Sequence, residues 1–224
     1  MIKAVIFDMY ETLITYYGAP VYFGSQMAED AGIPAEVFLP RWRGTEEGRT
    51  LGKWRIEEVL TEILRENAAY SEQVLSLMMK KRMAAQVECF EHLHPEILDM
   101  LESLKENGIR VGLITNCFWE EAESIQNSVL YPYFDVAYFS CEEGLQKPDE
   151  EIFKRCMDAL GVTAEECLYI GDGGSRELET ARKIGMHAFQ AVWYLKEDSA
   201  QTWGRKEDFV QLESPMDVVQ CVNN

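Results

Sequence analysis

The sequence predicts an α/β fold: a parallel β-sheet with helices on both faces, interrupted by one long helical insertion. Three observations carry this prediction. Short apolar runs recur along the chain without polar alternation, which is typical of strands buried on both faces. Helical patterns separate these runs. Between the first run and the second, no convincing strand pattern is found and helical patterns take its place.

Strands and helices follow each other with short connections. The predicted strands are Lys3–Phe7, Arg110–Thr115, Phe134–Ser140, Cys167–Gly171 and His187–Trp193. The predicted helices of the same region are Pro95–Asn107, Trp119–Leu130, Asp149–Leu160 and Ser175–Ile184. After an irregular segment that begins at Lys196, a final helix is expected near Met216–Val222. This alternation favours a Rossmann-like parallel sheet that is covered on both faces.

The insertion follows the first strand and ends near residue 91. It contains helical patterns at Val21–Ala31, Lys53–Glu66 and Ser71–Glu88. We therefore predict an α/β core formed by residues 1–14 and 92–224, and an all-helical domain formed by residues 15–91. No internal repeat or low-complexity linker divides the chain further.

Composition limits the partners of this chain. The 224 residues carry a formal net charge of -18, which argues against nucleic acid and anionic membrane surfaces, because both require a basic footprint. No apolar run approaches the roughly 20 residues of a membrane span. Six scattered cysteines without a CxxC pair indicate free thiols. We expect a cytoplasmic protein, monomeric or homodimeric, that acts on a small anionic molecule.

Polar residues follow the ends of four predicted strands, where open α/β sheets bind their ligands. In chain order these residues are Asp8, Tyr10 and Thr12, then Thr115 and Asn116, then Lys147, and finally Asp172 and Glu177. Each group alone is also typical of a turn, a helix cap or a solvated loop. Because all four groups fall on one edge of one sheet, we interpret them together as a functional site.

In this pattern the sequence resembles the haloacid dehalogenase-like hydrolase superfamily. The stretches that carry the resemblance are AVIFDMYETL, VGLITN, GLQKPDEEIF and LYIGDGGSRELETARKIGM. They are similar to the family's Asp-x-Asp-x-Thr, Thr/Ser, Lys-Pro and Gly-Asp-plus-acid motifs, and the insertion resembles its helical cap. The resemblance covers nearly the whole chain. It implies a hydrolase that forms a covalent intermediate on an aspartate.

The resemblance also implies roles for individual residues. Asp8 is expected to be the nucleophile, Lys147 to balance its charge, and the Thr115 hydroxyl to hold oxygens of the transferring group. Thr12 and Asn116 are expected to contact the substrate.

A metal site follows from the charges as well as from the resemblance. Three converging carboxylates, Asp8, Asp172 and Glu177, repel each other unless a cation lies between them, and hard oxygen ligands suit Mg²⁺. In the family pattern the metal is held by the nucleophile, by the backbone carbonyl two residues later, here that of Tyr10, and by Asp172. We expect Glu177 to act through water or from outside the direct ligands.

Tyr10 is where the chain departs from the phosphatase pattern, which has a second aspartate there. That aspartate protonates the leaving alcohol, and a tyrosine, with an unperturbed pKa of about 10, is a poor replacement. The Asp-x-Tyr pattern instead resembles the 2-haloacid dehalogenases, because halide leaves without a proton. Those enzymes use no metal and carry a Ser-Ser-Asn-like segment where this chain has Gly171 and Asp172. Glu11 also departs from both branches, which usually have glycine.

The charge of the fourth motif decides between these readings. Asp172 and Glu177 beside Asp8 favour a cation, so we predict a Mg²⁺-dependent hydrolase, a phosphatase for a small phosphorylated metabolite. The alternatives are a metal-independent 2-haloacid dehalogenase and a binding or regulatory module that has lost its activity.

The helical insertion contains a basic segment. This segment has only two acidic residues, Glu46 and Glu47. Its five basic residues are Arg41, Arg43, Arg49, Lys53 and Arg55. Such a segment in an acidic chain attracts an anionic substrate, although a solvated helix face with ion pairs would give the same pattern. Because they flank Trp42, Arg41 and Arg43 are our predicted substrate contacts.

Overall fold

A six-stranded parallel sheet forms the centre of the molecule. The computed structural model describes residues 1–18, 20–195 and 204–223. Its strands are β1 (Ala4–Phe7), β2 (Arg110–Thr115), β3 (Val136–Phe139), β4 (Cys167–Gly171), β5 (His187–Ala191) and β6 (Val210–Leu212), in the spatial order β3-β2-β1-β4-β5-β6. All neighbouring strands are parallel. The predicted α/β sheet is therefore confirmed, and β1 lies at its centre between β2 and β4.

Helices cover the sheet and form the insertion. In the insertion these are α1 (Gly24–Ala31), α2 (Ala35–Arg43), α3 (Glu46–Thr50), α4 (Ile56–Glu66) and α5 (Glu72–Glu88). Those of the α/β core are α6 (Ile97–Glu106), α7 (Trp119–Gln126), α8 (Ser140–Glu143), α9 (Glu150–Leu160), α10 (Glu177–Lys183) and α11 (Met216–Asn223). No helix in the described ranges is long and apolar enough to span a membrane.

Alternate residues of the central strands enter two separate apolar layers. Val5 and Phe7 of β1 pack on the face that also receives Met100 of α6 and Val218 of α11. Ile6 packs on the opposite face, in the cluster formed with side chains of α9 and α10 such as Phe153 and Leu178. Since both faces are covered, the strands read as continuous apolar runs instead of alternating ones.

The insertion has an apolar cluster of its own. Helices α1, α2, α4 and α5 contribute Met27, Phe38, Leu60, Ile63 and Met78, all fully buried. The three helices expected in this region are present, and two more, α2 and α3, were not anticipated. Neither sequence favours a helix, because Pro40 lies inside α2, one glycine follows α2 and another glycine lies in the middle of α3. The domain boundaries at residues 15 and 91 remain predictions.

Several element boundaries differ from the sequence expectation. The helix expected from Ser175 begins at Glu177, because Ser175 and Arg176 adopt positive φ angles of 51° and 52°, outside the right-handed helical region. The helix expected to reach Leu130 ends at Gln126. β6 was missed. The segment from Lys196 to residue 203 lies outside the described residues, and the final helix is present as α11.

Candidate functional site

The carboxyl ends of the central strands bring the predicted groups together. Asp8 directly follows β1, and its amide nitrogen donates to the carbonyl of Ile170 in β4 at 2.9 Å. Thr115 is the last residue of β2, and Asp172 directly follows β4. Because β1 lies between β2 and β4, the Asp8 side chain has the two other motifs on either side. The loop between α8 and α9 carries Lys147.

Lys147 joins the first motif to the fourth. Its ammonium nitrogen lies 2.5 Å from Asp8 Oδ1 and 2.5 Å from Glu177 Oε2, although the residue is only 4% exposed. Burial alone would lower the pKa of Lys147, but the two carboxylates outweigh it and raise the pKa above its usual value. The lysine is therefore a permanent cation, and it neutralises one of the negative charges around it.

A third carboxylate, that of Asp172, lies near the two that contact this ammonium group. One oxygen each of Asp8, Asp172 and Glu177 lies within 4.8 Å of the others, so these residues could hold a metal ion. Burial, and then the neighbouring Asp8, raise the pKa of Asp172 to about 7. Burial raises the pKa of Glu177 to about 8, where Asp8 and Asp172 add to the effect and Lys147 opposes it. Both carboxyls therefore hold their negative charge less readily than exposed ones do, as expected where carboxylates crowd together.

Glu177 is held by its neighbours at the start of α10. Its Oε2 accepts from Lys147 and from the Tyr169 hydroxyl at 2.8 Å, and its Oε1 accepts from the Gly173 amide at 3.3 Å. A Cβ at Gly171 would lie 2.1 Å from Glu177 Oε1, so only glycine lets the carboxylate pack against the strand end. Sequence reasoning missed Tyr169, which lies within the apolar run of β4.

Two buried hydroxyls, those of Thr12 and Thr115, have no hydrogen-bond partner in the described part of the chain. The Oγ1 atoms of Thr12 and Thr115 are inaccessible to solvent and make no hydrogen bond with any described residue. Buried polar atoms are almost always paired, so these two point to a ligand that completes the site. Their assignment to substrate binding and catalysis remains a prediction.

The Asn116 side chain binds the backbone of the loop that carries Lys147. Its amide nitrogen donates to the Lys147 carbonyl at 3.0 Å and to Ser175 Oγ at 3.3 Å, while its oxygen accepts from the Lys147 amide at 2.8 Å. These bonds connect the second, third and fourth motifs. They give Asn116 a positioning role, and its predicted contact with substrate stays a prediction.

Tyr10 is packed against the helical insertion. Its ring stacks on Tyr16 with centroids 4.5 Å apart, and its hydroxyl lies 3.5 Å from the Gln86 side-chain amide on α5. Burial, and then the Glu121 carboxylate, raise the pKa of Tyr10 well above its usual value. The phenol therefore stays protonated at neutral pH and cannot serve as a base.

Glu11 takes a strained conformation that glycine would adopt freely. Its φ angle is 57°, in the left-handed region. The side chain compensates, because its two oxygens accept from the Thr15 hydroxyl at 2.8 Å and from the Tyr16 amide at 3.0 Å. These contacts give a physical reason for a glutamate where the family pattern has glycine.

A buried ionic cluster connects the insertion to the core, and sequence reasoning missed it. Arg82 of α5 lies 2.5 Å from Glu121 and 3.3 Å from Glu120, both on α7. Tyr16, the ring stacked on Tyr10, donates to the same Glu121 oxygen at 2.7 Å. Tyr10 is therefore connected, through Tyr16, to the groups that join the two parts of the molecule.

Breaking this cluster is expected to destabilise the fold strongly. Arg82→Met leaves two buried glutamates without their cation, at an expected cost of about 3–5 kcal/mol in the free energy of unfolding. Lys81→Met is a matched control on the same helix, since Lys81 pairs with Asp30 at 2.7 Å but is 46% exposed. It should cost less than about 1 kcal/mol. Urea unfolding measures both, and equal losses would contradict the assignment.

The two arginines predicted to contact substrate, Arg41 and Arg43, occupy different places in the structure. A cleft of about 1060 Å³ lies between the insertion and the strand ends, and Arg43, Tyr10 and Lys147 are among its lining residues. Arg41 lies outside this cleft, where its guanidinium pairs with Glu62 at 2.9 Å and Glu66 at 3.0 Å. Surface glutamates therefore hold the donors of Arg41, and its contact with substrate stays a prediction.

The family assignment rests on sequence over most of the chain. A family model for haloacid dehalogenase-like hydrolases matches residues 2–185. The chain belongs to this family. The predicted superfamily and the prediction of a hydrolase are thereby confirmed.

Several curated relatives within this family are named as phosphatases. The glyceraldehyde 3-phosphate phosphatase of Methanopyrus kandleri is 26% identical over 83% of this chain and 82% of that protein. A protein of Mycobacterium tuberculosis named as a phosphatase is 29% identical over 90% of each chain. The glyceraldehyde 3-phosphate phosphatase of Methanocaldococcus jannaschii is 33% identical, and the match spans 42% of this chain and 41% of that protein.

Solved structures of this family share the fold. A phosphatase of the family from Thermococcus onnurineus has a TM-score of 0.70 at 18% identity, over 99% of this chain and 98% of that one. A 2-haloacid dehalogenase from Pseudomonas syringae has a TM-score of 0.68 at 23% identity, over 100% of this chain and 99% of that one. At these identities the likeness shows the fold and does not separate the two activities.

Proposed function

We propose that this haloacid dehalogenase-like hydrolase is a Mg²⁺-dependent phosphatase that acts on a small phosphorylated metabolite through an aspartyl intermediate. One observation carries the proposal. The carboxylates of Asp8, Asp172 and Glu177 each have an oxygen within 4.8 Å of the others, and two of them contact Lys147. This charge suits a site for a divalent cation and a phosphate. The named phosphatases among the relatives support the same activity.

The donor set fits Mg²⁺. The Asp8 carboxylate, the Tyr10 carbonyl and Asp172 would hold the ion, and Glu177 would act through water, because both of its oxygens already accept hydrogen bonds. When bound, Mg²⁺ supplies positive charge to the phosphate oxygens.

The reaction has two chemical steps, which are attack by Asp8 on the phosphate ester and hydrolysis of the resulting intermediate. An Asp8 carboxylate oxygen forms a bond to phosphorus while the bond from phosphorus to the ester oxygen breaks, and the departing oxygen takes its proton from water. A water molecule then attacks phosphorus, loses a proton to solvent and releases phosphate, which restores the Asp8 carboxylate. Lys147 and the Thr115 hydroxyl stabilise the transferring oxygens.

Tyr10 is the observation that favours the second candidate, a metal-independent 2-haloacid dehalogenase. Its protonated, stacked phenol supplies no ionisable group comparable to an aspartate. Asp172 argues against this candidate, because a third carboxylate within 4.8 Å of the buried Asp8 and Glu177 carboxylates is costly in a site that uses no cation.

Calorimetry tests the metal site directly. Wild type is expected to bind one Mg²⁺, and Asp172→Ala is expected to show no detectable binding, because it removes a direct ligand. Asp158→Ala, which removes an exposed carboxylate from α9, is the control and should bind as wild type does. Equal binding by wild type and Asp172→Ala would refute the proposed site.

A substrate panel tests the activity itself. Alkyl, aryl and acyl phosphates and 2-haloacids are assayed with Mg²⁺ and with a chelator. We expect turnover of phosphates only with Mg²⁺, fastest for aryl and acyl phosphates, whose leaving groups need little protonation. Turnover of a haloacid in the presence of chelator, without turnover of any phosphate, would establish the second candidate.

The setting of the protein is also a proposal. All six cysteines are free thiols in the structure, which fits the reducing cytoplasm. We expect a monomer or homodimer that binds a small phosphorylated molecule and no nucleic acid.

A further inference from the structure

Arg49 is a buried cation whose hydrogen bonding is incomplete. It lies in α3 and is 2% exposed. Its guanidinium carbon lies 3.7 Å from the centroid of the Trp42 ring and 4.0 Å from that of the Phe118 ring. Nε donates to Thr45 Oγ1 at 3.1 Å, whereas Nη1 is buried without a hydrogen-bond partner among the described residues.

The surrounding acids do not explain this arrangement. Glu120 and Glu121 stabilise the charge of Arg49 through space, but they hydrogen-bond Arg82 and accept no hydrogen bond from Arg49. Burial lowers the pKa of Arg49 to about 10, so it remains charged at neutral pH. A buried guanidinium N–H without an acceptor is costly, and an anionic ligand would remove that cost.

The geometry restricts where such a ligand binds. The centroids of the Trp42 and Phe118 rings lie within 4.0 Å of the guanidinium carbon, and rings packed on a guanidinium leave its remaining donors available in its own plane. Planar, in-plane recognition by arginine matches a carboxylate, whose two oxygens are coplanar with their carbon.

Arg49 lines the cleft that also contains the candidate catalytic lysine. Phe118 and Lys147 reach this cleft from the core, and Arg49 and Trp42 reach it from the insertion. Its lining includes six basic side chains and three acidic ones in a chain of net charge -18. The basic ones are Arg43, Arg49, Arg82, Lys147, Arg176 and Lys206. The cleft is thus suited to a ligand with two anionic groups.

We propose that Arg49 binds a carboxylate on the leaving-group part of the substrate, so that the preferred substrates are phosphate monoesters of small hydroxy acids. This inference rests on the proposed function, because it assigns the phosphate to the part of the cleft at Lys147, which contacts Asp8. Arg49 is then a specificity-determining residue that fixes the orientation of the substrate between insertion and core.

A matched pair of substrates tests the proposal. The first is 2-phosphoglycolate, and the second is 2-hydroxyethyl phosphate, which has a neutral hydroxymethyl group where the first has a carboxylate. The measured quantity is the ratio of their kcat/KM values. Arg49→Gln is expected to lower this ratio about 10- to 100-fold, mainly through KM, as for the loss of a charge-assisted hydrogen bond.

Two further variants make the result specific. Arg49→Lys keeps the charge but loses the planar donors, so its ratio should fall between those of wild type and Arg49→Gln. Arg65→Gln removes an exposed arginine that lies over the Tyr70 ring at 4.9 Å, outside the cleft, and should change the ratio less than twofold. Thermal unfolding shows whether each variant folds. If Arg49→Gln does not fold, the ratio measured for Arg49→Lys tests the proposal.

The outcomes separate this inference from the proposed function. A wild-type ratio near one, or an unchanged ratio in Arg49→Gln and Arg49→Lys, would overturn the carboxylate assignment while the phosphatase proposal stands. Equal losses for both substrates would show that Arg49 only completes the ionic cluster, which also overturns it. Failure of wild type to hydrolyse any phosphate ester with Mg²⁺ would refute the proposed function instead.

Discussion

Asp8→Asn is expected to lower kcat by more than about 100-fold, because loss of a covalent nucleophile costs at least that much. The fold should survive the change. Lys147 keeps its 2.5 Å contact with Glu177, and the repulsion among the three clustered carboxylates is reduced. The variant should therefore unfold at the same temperature as wild type or at a higher one. Steady-state kinetics on an aryl phosphate and thermal unfolding measure the two effects.

An exposed aspartate provides the control for this change. Asp158→Asn makes the same substitution on the surface of α9, away from the strand ends, and should leave both kinetics and stability near wild type. Residual activity above about a hundredth of wild type in Asp8→Asn would place the chemistry elsewhere. A large loss of stability in Asp8→Asn would instead show that the carboxylate is needed to hold Lys147.

The parts of the fold that sequence predicted best are those with the strongest burial. The bounds of β2 and β4 agree with the prediction because each is a continuous apolar run buried on both faces. β6 was missed because it is a three-residue edge strand, in which Val210 is exposed and only Leu212 is buried. Such a segment has too few residues to show a period.

Site residues that lie after strand ends could be predicted from the sequence. Contacts between the insertion and the core could not. Asp8 and Lys147 are 139 residues apart, yet Asp8 follows β1 and Lys147 lies in the loop after α8, the short helix that follows β3, so topology brings them near each other. Arg82 and Glu121 meet across the insertion and the core, and no local pattern encodes that contact.

Helix geometry explains the different positions of the two predicted arginines. Arg41 and Arg43 are two residues apart on α2. At 3.6 residues per turn this is a rotation of about 200°, so their side chains point about 160° apart. Only one of them can face the cleft. Both were predicted as substrate contacts because the sequence near them does not show which face of α2 is turned toward the cleft.

Tyr10→Asp is expected to increase kcat/KM for an alkyl phosphate by up to about 10²–10⁴-fold, the contribution of a positioned general acid. The change restores the second aspartate of the phosphatase pattern. Aryl and acyl phosphates should gain much less, because their leaving groups depart without a proton. Measuring an alkyl phosphate, an aryl phosphate and 2-chloropropionate in wild type and variant gives the comparison.

The surroundings of Tyr10 set a limit on this gain. The ring stacks on Tyr16, and Tyr16 donates to Glu121, so the new carboxylate replaces a packed ring near an existing negative charge. Loss of a buried aromatic side chain costs about 3–5 kcal/mol in the extreme case. Thermal unfolding must therefore accompany the kinetics. Tyr10→Phe is the matched control, since it keeps the stack and removes only the hydroxyl.

Together the two Tyr10 variants distinguish the candidate activities. In a phosphatase that lacks its general acid, Tyr10→Phe should stay within about threefold of wild type, while Tyr10→Asp gains on alkyl phosphates up to the limit for acid catalysis. In a dehalogenase, Tyr10→Asp would add a second carboxylate beside the nucleophile and the anionic substrate, so turnover of 2-chloropropionate should fall. A folded Tyr10→Asp variant with no gain on any alkyl phosphate would show that position 10 cannot protonate the leaving group in this chain. The proton would then have to come from water, as the present site already requires.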